Sequence, residues 1–317
     1  MALGLVASAL LAWAAAAAYT VHANPEVRVY RTAFETKLKW AKQLNESFTN
    51  KFVIAGGSSC ATSVMGRRML EQHHLPVVNF GFHAGMGAEV IVRGAMAQTR
   101  SGDTLVLALE PDLLEMKSDI PSLGQQFAVA TGHPEFLGHV GFSDQLAAGL
   151  ALRPGGYHFF TLLGKVALRQ PLYRYQVEDF DSSGYQRVDV RREFAAPVDR
   201  KRFISKPARK LLRWVRDECS QRNVRVAYVL PWIYSPPESV AAARKTNRDF
   251  LLQMVELLPV LVDEKLGAYP LRDQFADTEA HLTFEGATLR TDQLAVQIQA
   301  WQAWSAADLS RLSFADR

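Results

Sequence analysis

Short apolar runs punctuated by glycine, with longer stretches of mixed polarity between them, set the rhythm of the chain after residue 50. Phe52-Val53-Ile54-Ala55 has the pattern of a buried strand and ends in the turn signal Gly56-Gly57. Val77-Val78-Asn79-Phe80 closes at Gly81, and Leu105-Val106-Leu107-Ala108-Leu109 follows the turn Ser101-Gly102-Asp103. Val224–Leu230 and Val260–Asp263 supply a fourth and a fifth strand. The stretches 61–74, Ala88–Gln98, Ala208–Arg222, Asn247–Leu258 and Gly286–Trp304 suit helices, and Pro25–Asn50 is polar and helix-prone. Strands alternating with helices predict an α/β chain with a parallel sheet covered on both faces. In such a sheet the ligand site lies beyond the carboxyl ends of the strands.

The N-terminus breaks this rhythm. Ala2 to Val21 carries no charge, and the first charged residue is Glu26. About twenty apolar residues suffice to cross a bilayer as a helix, and Val21-His22-Ala23 resembles the small-residue cleavage site of an export signal. The basic residues Arg28, Arg31 and Lys37 follow the run rather than precede it, which by charge alone favours a cytoplasmic body. Position and cleavage-like site favour export. The expectation is therefore a signal peptide or membrane anchor over 1–23, with the remainder, 24–317, periplasmic or otherwise extracytoplasmic.

More than 100 residues, 110–223, separate the third and fourth strands, too many for one crossover helix, so a large insertion is expected there. Tyr157–Leu168 within it is strongly apolar and either packs on the body or meets a membrane. The stretch Arg187–Arg216 is dense in Arg and Lys, including Arg191, Arg192, Arg200, Lys201 and Arg202. It reads first as a solvated face and second as a contact for anionic lipid or an acidic polymer.

Composition narrows the class. Of 317 residues, 48% are apolar and 21% charged, a globular balance that excludes wholesale disorder. The net charge of +4, from 36 basic and 32 acidic residues, is too mild to argue for a nucleic-acid partner. Two cysteines, Cys60 and Cys219, exclude a disulfide-rich scaffold and a cysteine-rich zinc module, while leaving one disulfide open after export. His133, His139 and His158 have no metal-like spacing, and His73-His74 point in different directions on a helix, so no metal ligands are expected.

Two short segments carry candidate chemistry. Gly56-Gly57-Ser58-Ser59 places a serine just beyond the first strand, among backbone N–H groups suited to a developing oxyanion. Serine needs a base. Asp277-Thr278-Glu279-Ala280-His281, before the last helix, offers His281 as that base and Asp277 as its orienter. Ser59 is the alternative nucleophile. Cys60 reads as a small buried residue, and His83 reads equally as a pocket or a loop residue. Glu285 and Arg290 are expected to pair along the last helix, and Trp301 and Trp304 to pack.

At these segments the sequence resembles the SGNH/GDSL hydrolase superfamily, over about Lys51 to Gln299. Gly56-Gly57-Ser58 is similar to its first block, with Gly57 where Asp is usual. Asn79-Phe80-Gly81-Phe82-His83-Ala84-Gly85 resembles the second, whose glycine lends an oxyanion N–H, and Asp277 to Gly286 resembles the last. The resemblance implies a flavodoxin-like three-layer α/β/α sandwich of about five parallel strands. It also implies cofactor-free ester hydrolysis or acyl transfer by Ser58, His281 and Asp277, with Gly57, Ser59, Gly81 and Gly85 around the oxyanion. The last block is similar to that of exported bacterial members linked to envelope or exopolysaccharide work, so acylated carbohydrate or a small ester is the implied substrate. Two departures stand out. The family's Asp precedes its His by three residues rather than four. Its third block carries an Asn for the oxyanion, where this chain has Glu110-Pro111-Asp112, and a carboxylate there would repel the anion. A non-catalytic relative that binds polysaccharide or envelope partners is the competing expectation.

Overall fold

The computed structural model describes residues 2–116, 121–138, 156–194 and 201–303. His139, Arg200 and Trp304, singled out above, lie outside these residues. The chain opens with helices α1 (Ala2–His22) and α2 (Pro25–Ser47). Asn24 separates them: its side chain accepts from the Glu26 N–H at 3.0 Å, and Pro25 fills the first helical position, where no N–H is needed. Along Leu3–His22, α1 is almost wholly exposed, and it is long and apolar enough to span a bilayer, a property that signal sequences share.

Strands β1 (Phe52–Gly56), β2 (Val77–Gly81), β3 (Thr104–Ala108), β4 (Arg225–Val229) and β6 (Val260–Leu261) form one all-parallel sheet in the order β2-β1-β3-β4-β6. Every residue of β1, β2 and β3 is buried. Successive side chains alternate between two cores. Val53, Ala55, Val78, Phe80, Leu105 and Leu107 join Phe34 of α2, Ile91 of α5 (Ala88–Met96) and Leu212 of the helix Lys206–Gln221. Ile54, Val77, Val106 and Ala108 join Met69 of α4 (Gly66–His73) and Leu294 and Ile298 of the helix Phe284–Ala303. Helices thus cover both sheet faces, an arrangement compatible with a three-layer α/β/α sandwich.

Several elements differ from the sequence reading. The helix expected over 61–74 is two, α3 (Ser58–Ala61) and α4, split where Met65 N–H donates to Thr291 Oγ1 and the Ser63 carbonyl accepts from the same hydroxyl. The helix expected from Asn247 starts at Val240. A second, two-stranded parallel sheet, β5 (Ile233–Tyr234) with β7 (Ala268–Tyr269), has no counterpart in the pattern because two-residue strands carry no periodicity. Cys60 and Cys219 are free and buried in the two different cores, on opposite faces of the sheet, so no disulfide joins them. Arg290 pairs with the Gln293 side chain at 2.7 Å and the Leu230 carbonyl at 3.0 Å rather than with Glu285.

The insertion is woven into the body. Its Phe127 and Phe136 enter the first core, and Gln186 N–H donates to the Ala61 carbonyl. Lys37 of α2, fully buried, donates to the carbonyls of Asn79 at 2.9 Å and Gly184 at 2.5 Å, stitching β2 to the insertion. Burial pushes its ammonium down to about 8, against the weaker upward pull of Cys60 and Asp181. The unfolded chain therefore binds more protons than the folded one between about pH 8 and the ordinary lysine value near 10.4. The burden of burying the charge is complete below pH 8 and is relieved as pH rises through that window. Wild-type stability should gain on Lys37→Met as pH rises from 8 to 10, measured as the difference of two urea melts; a flat difference would show Lys37 to be buried without a shifted titration.

Candidate active site

Three loops meet at the carboxyl edge of the sheet. Gly56 is in register with Gly81 on one side and Ala108 on the other, so the segments that follow β1, β2 and β3 leave the sheet side by side. Phe82 N–H donates to the Gly56 carbonyl, which extends this contact past the strands. A Cβ on Gly56 would come within 2.2 Å of the Ala108 carbonyl oxygen, and one on Gly57 within 2.4 Å of the Glu110 carboxylate. Close approach to backbone, rather than an unusual φ, requires glycine at position 56, and at position 57 a side chain would displace the Glu110 carboxylate.

Glu110 has a position the sequence did not suggest. Its Oε2 accepts from Gly57 N–H at 3.0 Å and its Oε1 from Ser59 N–H at 2.9 Å, and the residue is buried. The carboxylate therefore clamps the turn on either side of Ser58 and spends its lone pairs on backbone donors. Hydrogen bonds to a charged group are worth about 1.5–3 kcal/mol each. In Glu110→Gln one of the two amides must face an NH₂ instead of an oxygen, so a loss of about 2 kcal/mol in urea denaturation is expected. An unchanged midpoint would mean that the clamp does not hold the turn.

Ser58 is partly exposed, whereas Ser59 is 1% exposed and its Oγ has no hydrogen-bond partner among the described residues. Of the two serines only Ser58 is open to a substrate. Cys60 is buried, and burial pushes its thiol up to about 12, so it stays protonated and inert.

The Asp277–His281 pair is built by its own loop. Thr278 Oγ1 accepts from His281 N–H at 3.1 Å and from Ala280 N–H at 3.3 Å, and Ala276 N–H donates to the His281 carbonyl. This turn brings side chains four apart together, and His281 Nδ1 lies 2.8 Å from Asp277 Oδ1. The other Asp277 oxygen takes Arg174 and, at 3.4 Å, the Tyr175 hydroxyl. Burial by itself would raise the Asp277 carboxyl, but the hydrogen bond and charge of His281, with Arg174, hold it below the ordinary carboxylate value. An ionised Asp277 makes Nδ1 of His281 the donor and leaves Nε2 as the free acceptor. No hydrogen bond joins Nε2 to Ser58 Oγ in this structure. Such contacts are often long before substrate binds.

A run of aromatic side chains connects His281 to His83. The ring of Tyr175 lies 6.3 Å from His281 and 5.8 Å from Tyr173; Tyr173 packs against Tyr30 at 6.1 Å, and Tyr30 against His83 at 5.8 Å. The sequence reading missed these three tyrosines. They come from α2 and from the insertion, and no local motif marks them. A cavity of about 370 Å³ adjoins Asp277, bordered by Arg174, Tyr175, Arg187, Val190 and Asp189.

The N–H groups of Gly57, Ser59, Gly81 and Gly85, the residues expected around the oxyanion, are all engaged in this structure. Those of Gly57 and Ser59 donate to Glu110, that of Gly81 to Asn79 Oδ1 at 2.8 Å, and that of Gly85 to His83 Nδ1 at 2.9 Å. The Gly81 and Gly85 donors are taken by side chains two residues away, and the Gly57 and Ser59 donors by a carboxylate from the segment after β3. Ser58 N–H has no such partner among the described residues.

In the basic stretch, Arg187 pairs with Asp189, Arg202 with Asp112 and Arg209 with Glu256, as a solvated face would. No family model matches the chain, and no curated protein matches it either.

Proposed function

We propose that this chain is an SGNH-type serine esterase or O-acyltransferase, exported or anchored through its N-terminal helix, that acts on acyl esters of envelope or exopolysaccharide carbohydrate. The observation that carries the reading is the Asp277–His281 pair at 2.8 Å, which orients an imidazole as a base, in a chain that also holds a partly exposed serine just beyond β1. The strand order, with Ser58 and Glu110 at the β1/β3 switch point of a parallel sheet, supports it. The polar cavity beside Asp277 suits a substrate rich in hydroxyls.

In this mechanism His281 Nε2 accepts the proton of Ser58 Oγ as the oxygen attacks the ester carbonyl carbon. Asp277 holds the imidazole in the required tautomer and stabilises its charged form. The carbonyl π electrons move onto oxygen, and the Ser58 N–H donates to that oxyanion. Collapse expels the alcohol, which takes the proton back from His281. Water or a sugar hydroxyl then removes the acyl group by the same steps in reverse.

A fluorophosphonate probe tests the reading. Full-length protein in detergent should be labelled, and Ser58→Ala should not, with both giving the same circular dichroism. A second reading, a non-catalytic polysaccharide-binding relative, draws support from the Glu110 carboxylate beside Ser58 and the engaged N–H groups around it. Absence of labelling in folded wild-type protein favours that second reading.

A further inference from the structure

Of the backbone N–H groups weighed for the candidate oxyanion site, only that of Ser58 is free among the described residues, and His83, on the neighbouring loop, has a side-chain donor without an acceptor. Gly85 N–H points at His83 Nδ1 at 2.9 Å, and a backbone amide can only donate. Nδ1 is therefore the unprotonated nitrogen, and the neutral ring carries its hydrogen on Nε2. Among the described residues Nε2 has no protein partner, although the ring is held on one side by the edge-on contact with Tyr30. Burial, with the charge of His281, lowers the basicity of His83 against the upward pull of Glu26, so the neutral form with a single, directed N–H prevails at neutral pH.

Position agrees with chemistry. Gly56 and Gly81 are paired in register, and Phe82 N–H continues the pairing to the Gly56 carbonyl. His83 thus stands two residues beyond Gly81 as Ser58 stands two beyond Gly56, on adjacent loops of one sheet edge. We propose that His83 is a catalytic residue that donates its Nε2–H to the oxyanion formed when Ser58 attacks an acyl ester. This inference rests on the Ser58 reading above. Gly85 has a positioning role in it: its N–H, engaged by Nδ1, fixes the tautomer and aims the ring.

Two variants separate the donor from the turn. The His83→Asn side chain can still accept from Gly85 N–H in an Asx turn, and it lacks the Nε2 donor. Gln sacrifices that turn contact and places an amide N–H near the site of Nε2. With a fluorophosphonate, Ser58 Oγ bonds to phosphorus, fluoride leaves, the serine proton passes to His281, and the phosphoryl oxygen occupies the oxyanion position. The rate of labelling of full-length protein is the readout, beside thermal melting. Loss of one oxyanion donor typically slows reaction 10²–10³-fold. His83→Asn should therefore label about 10²–10³-fold more slowly than wild type with the same melting temperature, and His83→Gln should recover much of that loss. His83→Asn labelling at the wild-type rate, with Ser58→Ala unlabelled, overturns the inference and leaves the Ser58 reading in place. A folded wild type that takes no label overturns both.

Discussion

Asp277→Asn is expected to lower the rate of Ser58 acylation on the order of 10⁴-fold while leaving the fold intact. The carboxylate accepts from His281 Nδ1 at 2.8 Å and so leaves Nε2 as the acceptor that the proposed mechanism assigns to the serine proton. An asparagine can instead present its NH₂ to Nδ1, which favours the tautomer with the hydrogen on Nε2, and that form cannot act as base. The variant loses the ion pair with Arg174 as well, but Arg174 is partly exposed and can turn to solvent, so stability should change little. Stopped-flow labelling gives the rate and calorimetry the stability. A drop of less than tenfold would mean that Asp277 orients nothing that matters. The pH dependence has a definite sign. Because the folded carboxyl lies below its ordinary value, the Asp277–His281 pair contributes fully above about pH 4 and is lost only as pH falls through the lower folded value. Acid inactivation through this residue should set in below the range of a free aspartate.

The largest stability effect is expected at the opposite, amino end of the sheet. Lys51 and Asp103 form an ion pair with both side chains wholly inaccessible. Asp103 Oδ1 also accepts from Lys51 N–H at 2.9 Å, and Oδ2 from Arg100 N–H at 3.0 Å. One carboxylate thus ties the residue before β1 to the residue before β3, the two strands that deliver Ser58 and Glu110 to the site. Asp103→Leu strands a buried ammonium and two backbone donors, and breaking one partner of such a pair typically costs about 3–5 kcal/mol. Lys51→Met combined with Asp103→Leu removes the charge and leaves only the two N–H groups unpaired, at about 1–3 kcal/mol each. The double variant should therefore be more stable than the single one in equilibrium urea denaturation. Equal losses would place the whole effect in the backbone contacts and none in the charge.

The position of Glu110 changes how the site reads chemically. On sequence alone a carboxylate after β3 looks hostile to an oxyanion. In the structure it neutralises the two N–H groups that flank Ser58, so its charge is directed at the backbone rather than at the reaction centre. On the proposed mechanism the same contacts remove two donors from the oxyanion site, and this is what would make the N–H of His83 consequential.

The five strands, the parallel sheet and the pairing of Asp277 with His281 were legible from sequence because each rests on short-range signals. These are an apolar run bounded by glycine, strands alternating with helices, and two polar residues within one turn. The N-terminal helix was legible for the same reason, since length and apolarity are properties of one segment. The Thr278 turn shows how Asp277 and His281, four residues apart, are brought together. Tertiary structure alone decided the rest. The Glu110 clamp spans more than fifty residues of chain, and the tyrosines between His281 and His83 come from α2 and the insertion. The separation of Cys60 from Cys219 depends on which sheet face each helix covers. Which N–H groups around Ser58 remain free depends on side chains that arrive from neighbouring loops. Contacts between distant segments leave no period and no spacing in a single sequence, because they are fixed by close packing across the sheet rather than by the local backbone.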